Sequence, residues 1–252
     1  MRTIAFFLSC LFALPAYSQD PFLPEKPGPP RLYNNLSKEF PQLLSSAEAG
    51  ILEEKLISIA EETSNQVAVV IVDDFGGSDA NDFGTRLFNK WGIGKDNKDN
   101  GVLILVKPTE RDGGREVFIV TGYGLESVLP DITCKKIIER DMLPHFRNGD
   151  YSKGLLTGVD VIYGFIKGEI SEKDYSARDR GGKIPWKYVV IAIILFIIIS
   201  RIGRGFGGGY TIGRGGYYRG GFGGFGGFGG GGGGFGGFGG GSSGGGGAGG
   251  RW

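Results

Sequence analysis

The chain is poor in the residues that build metal and nucleophile sites. Its 252 residues include one histidine, His145, and two cysteines. Zinc sites use several His or Cys ligands, so this scarcity argues against a zinc protein. Cys10 lies in the apolar N-terminal stretch, which leaves Cys134 as the sole thiol of the remainder, and a sole thiol forms no internal disulfide. We expect Cys134 to be a small buried hydrophobic residue rather than a catalytic thiol.

Acidic residues are also missing from the C-terminal part of the chain. Five arginines follow residue 200, and no Asp or Glu does. Residues 19–182, by contrast, hold 20 Lys and Arg against 27 Asp and Glu, a net charge of −7. An acidic surface disfavours nucleic acid and favours hard cations such as Ca²⁺. We therefore expect no nucleic-acid partner.

Two apolar stretches are typical of export and membrane insertion. Residues 1–18 have an early Arg, an apolar run and a small-x-small end, which predicts a secretory signal peptide. Residues 184–202 are long enough to span a bilayer if Lys187 and Arg201 extend to the interface. A buried core helix is the alternative, but the stretch follows a completed domain. We predict a single-pass protein of the inner (cytoplasmic) membrane, with its N-terminal domain exported to the periplasm and its tail in the cytoplasm.

Composition divides the rest of the chain. Residues 19–31 are Pro-rich and predict an extended linker. Residues 32–168 have the patterning of a folded domain, and residues 169–183 are a polar linker. Residues 203–252 are Gly-rich and cannot bury a core, so we expect a disordered tail.

Hydrophobic patterning predicts an α/β fold for the domain, an α/β/α sandwich with a small mixed sheet, followed by a single transmembrane helix and the disordered tail. The turn sequence Asp112-Gly113-Gly114 makes the second and third strands an antiparallel pair. The expected strands are 67–72, 102–106 and 117–120, and the expected helices are 45–65, 79–91, 131–142 and 151–166.

Acidic residues flank the predicted strands. Asp73 follows the first strand, Asp99 precedes the second, and Glu126 and Asp131 follow the third. Oxygen ligands on loops at sheet ends suit Ca²⁺ or Mg²⁺, so these four residues are candidate metal ligands. Simpler explanations also fit. Asp131 can be a helix N-cap, Asp99-Asn100-Gly101 a turn, and Glu126 the partner of a Lys or Arg.

Three stretches resemble the TPM domain family. They are NKWGIGKDNKDNGVLILV (89–106), EVFIVTGYGLESVLPD (116–131) and PHFRNGDYSKGLLTGVD (144–160). WGIGK, DNGVL and GYGLE follow one another in order. The family includes a thylakoid-lumen protein of photosystem II repair, an acetylcholine-receptor accessory protein and bacterial YgcG-like proteins. The layout of signal peptide, domain, span and Gly-rich tail is similar to the membrane-anchored YgcG-like members.

The resemblance implies an α/β sandwich over residues 32–168, calcium binding as in some members, and a weak acid phosphatase activity as proposed for the plant member. The matching acids are Asp99 in DNGVL, Glu126 in GYGLE and Asp131 in LPD, whereas Asp73 rests on its place at a strand end. Asn34-Asn35 departs from the Asn-Asp of many members and removes one acid.

The expected function is that of an exported, membrane-anchored binding or accessory module. It holds calcium and assists the assembly or maintenance of a membrane-protein partner. The alternative is a weak metal-assisted acid phosphatase.

Overall fold

A computed structural model describes residues 22–95, 97–178 and 237–252. The predicted signal peptide, the predicted span 184–202 and the tail as far as residue 236 lie outside these ranges. No helix within the described ranges has the length and apolar character needed to cross a bilayer.

One mixed sheet forms the centre of the described structure. Its strands lie in the order β1-β2-β3-β4-β5, with the first three parallel and the last two antiparallel to their neighbours. The predicted α/β class with a small mixed sheet is confirmed, as is the antiparallel pairing of the strands around Asp112-Gly113-Gly114. The strands are β1 (Tyr33–Asn35), β2 (Gln66–Ile71), β3 (Gly101–Lys107), β4 (Glu116–Thr121) and β5 (Gly247–Arg251).

The helices begin and end close to the predicted positions. Ser45 and Glu48 form a capping box, in which the Ser45 amide donates to the Glu48 carboxylate at 2.8 Å and the Ser45 hydroxyl accepts from the Glu48 amide. Asp79 caps the next helix through its side chain. The helices are α1 (Ser46–Thr63), α2 (Ala80–Trp91), α3 (Asp131–Lys136), α4 (Leu143–Arg147), α5 (Tyr151–Ile166) and α6 (Glu172–Arg178), and a π-helical turn (Ile137–Met142) joins α3 to α4.

Helices lie on both faces of the sheet. A Cβ atom on Gly84 of α2 would lie 2.9 Å from Val120 Cγ2, so α2 packs directly on the face that presents Val120. The next residue along β4, Thr121, points the other way, and its hydroxyl lies 3.6 Å from Cys134 Sγ on α3. Every residue of β2 and β3 is buried as a result.

The prediction of a disordered tail is wrong for residues 237–252. Their last part is β5, which pairs with β4 from Val120 opposite Gly247 to Glu116 opposite Arg251. A strand needs only backbone donors and acceptors, so a lack of apolar side chains does not prevent it from joining a sheet that already exists.

Two predicted linkers also contain ordered contacts. In the polar linker 169–183, α6 buries Tyr175 with its ring 5.2 Å from that of Phe165. In the Pro-rich segment, the carbonyl of Pro24 accepts a hydrogen bond from Trp91 Nε1 at 3.0 Å. The described part of the domain therefore extends beyond residues 32–168 on both sides.

The substitution Ser45→Ala removes half of the capping box. We expect the free energy of unfolding to fall by about 1 kcal/mol, because an amide of the first turn of α1 loses its acceptor. Denaturant unfolding of the full chain measures this change. Ser58→Ala on the exposed face of the same helix is the control, with an expected change within about 0.5 kcal/mol. Equal effects of the two substitutions would contradict the capping role.

Candidate functional site

The start of β3 and the end of β4 lie at the same end of the sheet. Val102 of β3 lies opposite Thr121 of β4, so the loop before β3 meets the loop after β4. The amide of Gly124 donates to the carbonyl of Asp99 at 3.1 Å and ties the two loops together. Two of the four predicted ligands, Asp99 and Glu126, lie on these loops, and a third, Asp131, begins the helix that follows the second loop. We call these three acids the acidic edge.

Glu126 and Asp131 face one common space. A Cβ atom on Gly246 would lie 3.1 Å from Glu126 Oε1 and 3.4 Å from Asp131 Oδ1. Both residues are exposed. Neither carboxylate has a hydrogen-bond or ion-pair partner among the described residues. Asp131 is the first residue of α3, but the N-cap is Pro130 and no side chain caps this helix. The capping and ion-pair explanations are therefore not realised in the described structure.

Asp99 has partners from the C-terminal segment, which we define as residues 237–252. The amide and the hydroxyl of Ser242 both donate to Asp99 Oδ1, each at 2.7 Å. These hydrogen bonds to the charged form hold the pKa of Asp99 below its usual value. Asp99 has a positive φ of 46°, which fits the turn that the sequence suggested. Asp99, one of the three acids of the acidic edge, therefore already binds the C-terminal segment.

Asp73 lies at the opposite edge of the sheet. It follows the end of β2, whereas Asp99 precedes the start of the parallel strand β3, and six strand residues separate the two edges by about 20 Å. Its carboxylate accepts from the Ser37 hydroxyl at 2.5 Å and from the Lys38 amide at 2.7 Å, which closes the turn after β1. In residues 22–95, 97–178 and 237–252, no three His, Cys, Asp or Glu side chains are grouped to hold a metal ion.

The Cys134 thiol is buried, as its sequence context predicted. Burial raises its pKa to about 11. The thiol therefore stays protonated at neutral pH, and a thiolate nucleophile is unfavourable at this position.

Comparison with known proteins identifies the domain. A sequence model of the TPM domain matches residues 38–165, just over half of the chain. The chain belongs to the TPM domain family. None of the curated proteins matches the chain.

Two solved structures are similar to the TPM domain of this chain. The N-terminal domain of a protein from P. gingivalis is 33% identical, with 55% of this chain and 83% of that chain covered and a TM-score of 0.48. The N-terminal domain of a protein from Corynebacterium glutamicum is 13% identical, with 60% and 90% covered and a TM-score of 0.41. At these TM-scores neither likeness bears on function.

Sequence reasoning missed the residues that the C-terminal segment brings to the TPM domain. Ser242 contacts Asp99, and the Ser243 hydroxyl donates to the carbonyl of Thr121 at 2.8 Å. Gly246 lies beside the space that Glu126 and Asp131 face. The available signal was the change from Phe-Gly-Gly repeats to the ending SSGGGGAGGRW, which introduces hydroxyls, a charge and an aromatic.

The contact between Asp99 and Ser242 should depend on pH. Because docking lowers the pKa of this carboxyl from its ordinary 3.8, its contribution is complete above about pH 4 and is lost as the pH falls through the lowered pKa. The amide resonance of Ser242, followed by NMR into the acid range, should report this loss. Asp99→Asn keeps an acceptor oxygen but cannot titrate, so an unchanged acid transition in that variant would contradict the assignment.

Proposed function

We propose that this TPM protein is an exported, membrane-anchored binding module that holds a divalent cation, with calcium preferred, at its acidic edge and docks a membrane-protein partner there. The N-terminal signal and the apolar stretch 184–202 support export and anchoring. The net negative charge of residues 19–182 supports a cation rather than an anion as the ligand.

The pairing of Glu126 with Asp131 carries the cation proposal. Two exposed carboxylates that face one space repel each other unless a positive charge lies between them. Neither has such a partner among the described residues, and Gly246 leaves the space beside them open. A calcium ion fits because it accepts carboxylate oxygens, backbone carbonyls and water together.

The donor set favours weak binding. Calcium takes six to eight oxygen ligands. Glu126 and Asp131 supply at most four of them, and Asp99 is already bound to Ser242. Water must complete the shell, so we expect a dissociation constant of roughly 10⁻⁴ to 10⁻³ M, as in extracellular calcium modules.

A metal-assisted phosphatase is the second candidate. Lys135 and Asp131 line one surface cavity of about 480 Å³, so a cation for phosphoryl oxygens lies beside a metal-ligand candidate. This function requires hydrolysis of p-nitrophenyl phosphate that depends on added Ca²⁺ or Mg²⁺ and is lost with Glu126→Gln. A turnover that survives this substitution would contradict it.

Calorimetric titration of Ca²⁺ and Mg²⁺ into the purified full chain tests the binding proposal. The double substitution Glu126→Gln with Asp131→Asn should weaken calcium binding by about tenfold or more, because it removes both charged ligands. Asp73→Asn should leave the affinity unchanged, since Asp73 lies at the other edge. Glu54→Gln with Glu61→Gln, on the exposed face of α1, is the control for the loss of two charges.

An absence of heat at about 10 mM calcium, well above the expected range, would refute the cation site. Equal weakening by the α1 control would assign the binding to overall charge rather than to the acidic edge.

A further inference from the structure

The C-terminal segment crosses three parts of the TPM domain. At its start, the Phe238 ring lies 5.9 Å from that of Trp91, and the amide of Gly239 donates to the carbonyl of Gly94 at 2.8 Å. In its middle, Ser242 binds Asp99. At its end, β5 extends the sheet beyond β4.

Contacts of this segment are specific at the level of side chains. Asn89 and Ser243 form a reciprocal pair, in which the Asn89 side chain donates to the Ser243 carbonyl at 3.2 Å and accepts from the Ser243 amide at 2.9 Å. Arg251 pairs with Glu116 at 3.3 Å. The ring of Trp252 lies 5.0 Å from that of Phe146. A strand that pairs through its backbone alone makes none of these contacts.

β5 lies in a groove beside β4. At three positions this groove has room for glycine but not for a larger residue. A Cβ atom on Gly247 or on Gly249 would lie 2.7 Å from the ring of Phe118. On the other face, a Cβ atom on Gly250 would lie 2.6 Å from Ile138 Cγ2. The groove therefore rejects side chains at Gly247, Gly249 and Gly250, which is a steric selection for a glycine-rich strand.

Without β5, the buried strand β4 would be the exposed edge of the sheet. Four of its six residues, Val117 to Val120, are apolar, and an uncovered apolar edge invites pairing with other chains. A strand added to such an edge gains its affinity from main-chain hydrogen bonds and its specificity from the pockets beside it.

We propose that the β4 edge is a binding groove for a glycine-rich strand followed by an aromatic residue, and that the C-terminal segment of the same chain is its ligand. Residues 237–252 then lie on the same side of the membrane as the TPM domain. A single crossing by residues 184–202 would separate the two. This inference therefore replaces both the single crossing and the cytoplasmic tail expected from the sequence, and it keeps from the proposed function only that the apolar stretch 184–202 attaches the chain to the membrane. It does not depend on cation binding at the acidic edge.

The length of the intervening chain permits the contact when both of its ends lie on one side of the membrane. Residues 179–236 separate α6 from the segment. At about 3.3 Å per extended residue this stretch can reach far beyond the width of a domain of this size.

A cysteine pair tests the inference in intact cells that express the full chain. Glu116 and Arg251 are directly opposite on antiparallel strands, where the Cα separation suits a disulfide. The variant Glu116→Cys with Arg251→Cys is treated with a membrane-permeant oxidant and blocked with N-ethylmaleimide before lysis. We expect an intramolecular disulfide, identified by mobility on a non-reducing gel and by mass spectrometry of the linked peptides. Glu116→Cys with Ala248→Cys, three residues out of register, is the control and should not cross-link.

A second substitution tests the selection for glycine. Valine favours strands more than glycine does, so pairing without a specific groove would persist or improve in Gly249→Val. A groove closed by Phe118 predicts instead that this change lowers the rate of cross-linking by about tenfold or more. Gly234→Val, outside the segment, is the matched control and should have no effect.

Each alternative result overturns a stated part of the proposal. Disulfide-linked dimers would show that the segment pairs with a second copy. If the two introduced thiols of the variant Glu116→Cys with Arg251→Cys remain free, the segment does not reach β4 in cells. Equal cross-linking with Gly249→Val would show that the groove does not select glycine.

Discussion

The turn that makes β3 and β4 antiparallel is the constraint on which the acidic edge depends. Buried Lys107 fixes this turn, because its Nζ donates to the carbonyl of Arg111 at 2.6 Å from a position with no solvent exposure. Burial lowers the pKa of Lys107, yet the carbonyls of the turn give the amine its acceptors. Reversal of the chain at this point brings the end of β4 beside the start of β3, and with it the loop of Glu126 beside the loop of Asp99. Had β4 run parallel, those loops would lie at opposite edges.

Much of the fold follows from local sequence rules. The starts of α1 and α2 are set by Ser45 and Asp79, whose side chains cap the first turns, and α5 has the predicted bounds. The continuous β-branched run at residues 67–72 is typical of a strand buried on both faces, and β2 is buried throughout. These elements were predictable because their burial and their caps are encoded within the elements themselves.

The elements that the sequence did not predict are stabilised by distant partners. β5 contains only Gly, Ala and Arg, and it becomes a strand because β4 presents an unpaired edge. Asp73 was placed with the other acids because all of them lie at strand ends. In two parallel strands, however, the end of one and the start of the next lie at opposite edges, so Asp73 could have been separated from Asp99 on that ground alone. Ser242 has no pattern of its own and becomes informative only once Asp99 is seen beside it.

The glycine content of β5 also determines how the strand is held. Glycine loses more backbone entropy on ordering than any other residue, so each main-chain hydrogen bond of β5 secures less than the same bond would in a β-branched strand. The side-chain contacts of the C-terminal segment, from Phe238 through Ser243 to Trp252, therefore hold a strand whose own main-chain pairing is weak. In a hydrogen-exchange experiment we expect β5 to open as a separate unit, so that its amides exchange by local opening while those of β2 and β3 exchange through global unfolding. The sheet thus combines the buried strands β2, β3 and β4 with a glycine-rich strand, β5, whose composition favours reversible pairing.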